Sequence, residues 1–456
     1  MCRQLIQLAG RCTRTHIQCC ECHDQDRIVR AAALSGPLTG IAIGNRVWIH
    51  FSSNEPPRLS TGFLYNVEDE SPVTSMALDQ SPNTSPDVLR LASFHDLGTI
   101  FIHDVSTSLL SSDTVEGGTG REFSRTLYRL GTEFSEAPTL RPRQSNIVAS
   151  AYHHPLLVTL SAAFHLSVYY LPPASSSTSH REPNSAPLQP ILQQSLHSYT
   201  SCPPSSMSLT RASKSMFKLV VAYSVPVFPA HFTAGVCEVL ISLNDQSSSS
   251  LSKTSVLAVS GSLARIMSIR TASANIPCDW HDTSLYPTSP YDEGSNPSLD
   301  TGSQQHYARL AAEQWDRKVG NVVGVQTDGK WVVLGSEDGT LQVYRLFRPP
   351  SSSNAVPMSL SYQRSLYGHT AGIAGLKVTD GRCVSLGKEG VIHVWDLEEG
   401  WSVEVGAGAG LGGDETDKQD LGGNHHGQPV VVLFDERRIL ATDTRHGGVS
   451  VWRFDT

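Results

Sequence analysis

The residues best suited to chemistry crowd at the start of the chain, where Cys2, Cys12, Cys19, Cys20 and Cys22 stand with His16 and His23. Thiolates and imidazoles hold zinc, and Cys19 and Cys22 have the spacing that lets one loop supply two ligands. A structural site needs four. No second pair stands at finger-like distance, and Cys2, Cys12 and His16 are irregularly spaced, so no metal is expected. The pair also lies outside any βαβ pattern, which leaves a thioredoxin-like role unsupported. Further on, Gly408, Gly410 and Gly413 fit the G-x-G-x-x-G pattern of dinucleotide loops. That chemistry requires a helix directly afterwards and an acid about 20 residues on. The next residues are DETDKQDLGGNHHG, a loop composition, so the glycines read as a connector and no cofactor is expected. There is no G-x-S-x-G elbow, P-loop or H-E-x-x-H. Carboxylates are scattered through turns, where Asp serves turn chemistry. No catalytic residue is expected, and a binding surface is the default.

The chain has 456 residues, more than one ordinary core accommodates, so several domains or one repeat architecture must bury it. Charged residues make up 17% and the formal net charge is −8, which argues against a nucleic-acid footprint. No apolar run approaches the ~18 residues that span a bilayer. The opening MCRQLIQLAGRC has too short an apolar stretch for a secretory signal, so a cytoplasmic or nuclear protein is expected.

The elements that must carry any site are strands. From Leu366 to Leu397 the sequence LYGHTAGIAGLKVTDGRCVSLGKEGVIHVWDL holds three short apolar runs, Ile373 to Val378, Cys383 to Leu386 and Val391 to Trp395. Asp380-Gly381 and then Gly387 and Gly390 separate them. The same rhythm recurs in NVVGVQTDGKWVVLGSEDGTLQVYRLF (Asn321 to Phe347) and from Val430 to Phe454. It is weaker in Ile147 to Leu171, in Met207 to Leu243, and in the runs Val73 to Leu78 and Leu89 to Ser93 that lead to His103-Asp104. Leu38 to Phe51 reads as two strands about Gly44-Asn45, and Leu38 to Asn66 counts as one divergent unit, for seven in all. Val256 to Ile269 offers one further strand without a clean unit. Ser/Pro/Gly-rich segments at about 174–190, 246–253, 271–306, 349–358 and 404–428 lack apolar residues to bury and are expected as disordered insertions, as is a Cys-rich tail over 1–30.

Gly368-His369 opening the first of these units and Trp395-Asp396 closing it resemble a WD repeat. The resemblance implies an all-β fold, a WD40-type β-propeller of seven blades over residues 31–456, and because its last edge must be covered, the first and last blades are both expected to be closed by strands from opposite ends of the chain. It also implies a structural tetrad of His369, Ser385, Glu389 and Trp395, with Glu389 where the repeat usually has Asp. Buried imidazole, hydroxyl and indole groups each need a partner, so His369 is expected as a structural histidine. In the fifth unit Leu334 takes the Ser position and Tyr344-Arg345 the Trp-Asp position, so packing must hold that blade. Trp315-Asp316 precedes the first strand there and is no repeat terminus.

The runs TGIAIGNRVWIHF, LLVTLSAAFHLSVYY, FKLVVAYSVPVF and QWDRKVGNVVGVQTDGKWVVLGSEDGTLQVYRL are similar to the propeller part of fungal F-box/WD-repeat proteins. The Leu/Pro helical pattern of an F-box is not visible. That resemblance implies a non-enzymatic protein that recruits substrates to an SCF-type ubiquitin ligase, with a Skp-type adaptor and a cullin as partners. The alternative is a WD40 scaffold in another multiprotein complex. Trp315, Arg317 and Lys318, ahead of the fifth unit, combine an aromatic with two cations, and with Thr370 they form a candidate protein-binding patch.

Overall fold

Strands of alternating burial, joined by Asp-Gly and Pro turns, fold back on themselves most simply as antiparallel meanders. The computed structural model describes residues 12–17, 29–35, 38–52, 59–65, 71–81, 88–106, 124–130, 147–172, 187–198, 204–227, 231–244, 263–274, 319–348, 357–405, 430–443 and 448–454. Among them every regular element is a strand, and the strands make seven four-stranded sheets. After β1 (Cys12–Ile17), blade one is β2 (Val29–Ser35), β3 (Leu38–Ile43), β4 (Arg46–Ser52) and β5 (Leu59–Tyr65). Blade two is β6 (Val73–Leu78), β7 (Val88–His95), β8 (Ile100–Ser106) and β9 (Ser124–Leu130). Blade three is β10 (Ile147–His153), β11 (Leu156–Ser161), β12 (His165–Tyr170) and β13 (Ile191–His197). Blade four is β14 (Pro204–Arg211), β15 (Met216–Val227), β16 (His231–Leu243) and β17 (Ala264–Ser273). Blade five is β18 (Val322–Thr327), β19 (Trp331–Ser336), β20 (Leu341–Phe347) and β21 (Ser359–Leu366). Blade six is β22 (Ile373–Thr379), β23 (Arg382–Gly387), β24 (Ile392–Asp396) and β25 (Ser402–Val405). Blade seven is β26 (Val432–Phe434), β27 (Arg438–Asp443) and β28 (Gly448–Phe454), with β1 as its outer strand.

The first strands of successive blades touch in turn, and β26 returns to β2, so the sheets close into a ring. Each gap between sheets holds its own apolar layer. Leu156, Phe217 and Ile241 fill the gap between blades three and four; Leu440, Val451, Ile41 and Trp48 fill the one between blades seven and one. The core is therefore a series of small interfaces, each made by neighbours alone. Side chains at the hairpin turns stitch the blades. Asp79 accepts from the His154 amide at 3.0 Å, and Asp328 from the Gly381 amide at 2.8 Å. The buried Arg438 guanidinium donates to Thr39 Oγ1 at 3.2 Å, joining the last blade to the first.

The ring closes by pairing Cys12 with Phe454 through to Ile17 with Val449. This is one blade built from both ends of the chain, rather than the two that were expected. The segment read as a disordered tail, residues 1–30, thus contributes β1 and the start of β2. The free edge of β28 supplies a ladder that the Thr-containing CTRTHI joins by its backbone, a signal that composition does not carry. The strand sought between Val256 and Ile269 is β17, the fourth of blade four. The insertions lie largely outside the described residues, although β17 extends to Ser273, inside the range expected from 271.

Candidate functional site

In a four-stranded meander the start of the first strand, the turn between the second and third, and the exit of the fourth share one end. In blade six that end holds the tetrad. Trp395 sits on β24, Ser385 on β23, Glu389 in the turn between them, and His369 in the connection arriving from β21. Trp395 Nε1 donates to Ser385 Oγ at 2.7 Å, and Ser385 Oγ lies 2.7 Å from His369 Nε2. His369 Nδ1 is 2.6 Å from Glu389 Oε1. A hydroxyl that accepts from the indole has its own proton for the imidazole, so Nε2 accepts and Nδ1–H donates to the carboxylate. Room for that carboxylate comes from Gly387, since a β-carbon there would fall on the Glu389 carboxylate. The His393 ring meets His369 edge-on at 4.6 Å. Burial first, and the neighbouring His369 second, lower its pKa.

Ser385, His369 and Glu389 are serine, base and acid in series, yet the arrangement is not a nucleophile. Ser385 is 0% exposed and its oxygen is shared between two buried rings, so no substrate atom reaches it. The thiols with described side chains are equally unsuited to chemistry. Burial pushes Cys237 up to about 11 and raises Cys383 further, which keeps both protonated at neutral pH. No group of three or more His, Cys, Asp or Glu is placed to hold a metal among the described residues. Cys19, Cys22, Gly408, Gly410 and Gly413 lie outside them, as do Trp315, Arg317 and Lys318. Thr370 is exposed in the connection between β21 and β22.

The mouth of the ring at this end has a character that sequence pattern does not announce. β2, β6, β10, β14, β18 and β22 all break register one residue into the strand. The bulged residues, Arg30, Thr74, Val148, Ser205, Val323 and Ala374, therefore stand at one height around the ring, and bulges re-aim side chains. Arg30, Val148 and Val323 are exposed. Leu97, in the turn between β7 and β8, is 68% exposed, and Tyr367, just beyond β21, is 75% exposed. Leu97 and Tyr367 had a visible signal, being large apolar residues inside turns otherwise made of Asp, Gly and His. The bulges had none. Inside the ring Lys377, on β22, makes no hydrogen bond or ion pair among the described residues, and burial lowers its pKa.

Seven radial four-stranded sheets, one with the His–Ser–Trp chain, define a β-propeller of the WD-repeat class. Within that class the chain belongs to the family of the F-box protein pof12 beta-propeller, whose model matches residues 123–314 and 321–418, more than half of the chain. Solved propellers are similar to it in fold. Sqt1 of Saccharomyces cerevisiae shares 9% identity over 95% of this chain and 98% of that one, with a TM-score of 0.45. The WD40 propeller domain of Doa1 shares 10% over 97% and 96%, with a TM-score of 0.44. Chaetomium thermophilum Sqt1, solved bound to the N-terminus of the ribosomal protein L10, shares 15% over 93% and 84%, also with a TM-score of 0.44. No curated protein matches the chain.

Proposed function

We propose that this protein is the substrate-recruiting subunit of an SCF-type ubiquitin ligase, working in the cytoplasm or nucleus without catalysis of its own. The observation that carries the reading is its membership of an F-box protein propeller family. The physical division of labour agrees with it. A rigid ring holds the buried tetrad, and a mouth with Leu97, Val148, Val323 and Tyr367 exposed offers a protein contact. Thr370 is exposed at the same end, and Trp315, Arg317 and Lys318, which precede β18 in sequence, bring the aromatic and the cations of the same candidate patch. A Skp-type adaptor and a cullin are the partners this role requires.

The test is affinity purification of the tagged natural protein, with detection of Skp and cullin subunits. Co-purification of both, at amounts comparable with the protein itself, is the expected result. A folded protein that brings down neither overturns the reading. Recovery of Skp and cullin unchanged, but loss of a bound substrate from an Arg317→Glu/Lys318→Glu variant, would assign substrate binding to the segment ahead of β18.

A further inference from the structure

Blade four is built longer than its neighbours. β15, β16 and β17 run 12, 13 and 10 residues. The outer strands of the other blades have four to eight. Their surfaces differ as well. β21 turns out Ser359, Ser361 and Gln363, and β25 turns out Ser402 and Glu404. β17 instead turns out Arg265, Met267, Ile269, Arg270 and Thr271, with Met267 57% and Ile269 50% exposed. On the adjacent outer strand, β13, Ile191 and Leu192 are exposed too.

The backbone of β17 is divided. Ala274 donates to the Ala234 carbonyl, and Ala272, Arg270 and Ser268 lie opposite Val236, Glu238 and Leu240. Their amides therefore point into the sheet, and those of Ile269, Thr271 and Ser273 point away from it. The pairing with β16 breaks register at Met267, and upstream of that bulge blade three closes the outward row. Gln193 Oε1 accepts from the amides of Leu263 at 2.7 Å and Ala264 at 3.2 Å, and Gln194 Oε1 from Ile266 at 2.6 Å. Downstream, no described residue accepts the outward amides of Ile269, Thr271 and Ser273. A long, apolar, unprotected edge is what natural sheets avoid unless something pairs with it.

Charge selects the occupant. Arg265 and Arg270 are exposed and make no hydrogen bond or ion pair among the described residues. Glu238, opposite Arg270, is engaged by Arg348. Two unpaired cations on a chain of net charge −8 favour an acidic visitor. A second copy pairing edge to edge would bring four such arginines together, which disfavours it. We propose that the β17 edge from Met267 to Ser273 is a strand-addition site for an extended segment of a partner protein in which apolar and acidic residues alternate.

The probe is a labelled ten-residue peptide alternating valine and glutamate, titrated into the full chain and monitored by fluorescence anisotropy. Saturable binding is expected, weakened at least tenfold when lysine replaces glutamate and at least tenfold by Thr271→Pro. The Thr271 amide faces outward, so proline there removes the donor for the visitor and spares the ladder to β16. Should Thr271→Pro lower the melting temperature, the wild-type chain tested with a peptide N-methylated along its pairing edge replaces it, and the same loss is expected. Absence of saturable binding, equal binding of the lysine peptide, or binding indifferent to both edge blocks overturns the proposal. So does a sedimenting dimer that Thr271→Pro dissolves, which would make the occupant a second copy.

Discussion

Blades five and six are neighbours built on one plan, and they fill the same positions by opposite means. In blade six Ser385 lies opposite His393, and two residues on stands Trp395; in blade five Leu334 lies opposite Gln342, with Tyr344 in the Trp place. Blade six links buried polar side chains in a series from Trp395 through Ser385 and His369 to Glu389. Blade five puts a fully buried Leu334 at the centre, and beside it Tyr344 Oη donates to Gln342 Oε1 at 2.6 Å. The contrast separates what the fold needs from what specifies it. Packing suffices to hold a blade, whereas each link of a polar series depends on its neighbour for a partner.

Removing the largest link of the polar chain is the strongest way to probe that difference. Trp395 is 2% exposed, and Trp395→Ala deletes its volume while leaving Ser385 without its indole donor. A loss of about 3–5 kcal/mol is expected in chemical denaturation. A melting temperature within a degree of wild type would show that blade six does not depend on the chain. Leu334→Ala is the matching change in blade five. It opens a cavity but orphans no polar atom, so about 2–4 kcal/mol is expected, from the lost packing alone.

Legibility in the sequence divides along the same line. The three inner strands of blades five and six were readable because their apolar runs, continuous in the fully buried β19 and alternating in β22, end at glycine-containing turns. The tetrad residues could be named because the resemblance to a WD repeat implies them. Fourth strands other than β17 were harder to read. Segments such as Ile191–His197 and Ser359–Leu366 are half exposed and rich in Ser and Gln, a pattern shared with loops. β1 escaped because its pairing partner lies at the other end of the chain. The mouth was missed because a bulge is a property of register rather than of residue type.

Acid sharpens the comparison by striking blades one and two, where buried histidines stand outside the tetrad. Burial lowers His50 and His103 from 6.5 to about 4, with His95 adding to the effect at His103. Both rings are therefore neutral in the folded protein, and unfolding takes up protons between these values. Their stabilisation is intact above pH 6.5 and is lost as pH falls towards 4, by about 1 kcal/mol per ring at pH 5.5. Denaturation at pH 7.5 and 5.5 should show that loss, and His103→Gln should reduce it. An identical pH dependence in the variant would assign the acid sensitivity to other groups.

The smallest effect tests how blade six tolerates Glu389 where the repeat family usually has Asp. The longer side chain reaches His369 Nδ1 only by lying over Gly387, where a β-carbon would meet its carboxylate. Glu389→Asp shortens the acid by one methylene and withdraws it from that space, at the cost of a longer bond to the ring. A change below about 1 kcal/mol is expected, because the hydrogen bond is partly exposed and water can bridge it. Gly387→Ala in the wild-type background should cost more, because the methyl group and the Glu389 carboxylate compete for one volume. Combined with Glu389→Asp, the same alanine should be nearly neutral, giving a favourable coupling of about 0.5–3 kcal/mol in a double-mutant cycle. Strict additivity would mean that Gly387 is not what accommodates the longer acid, and that the turn itself moves to seat it.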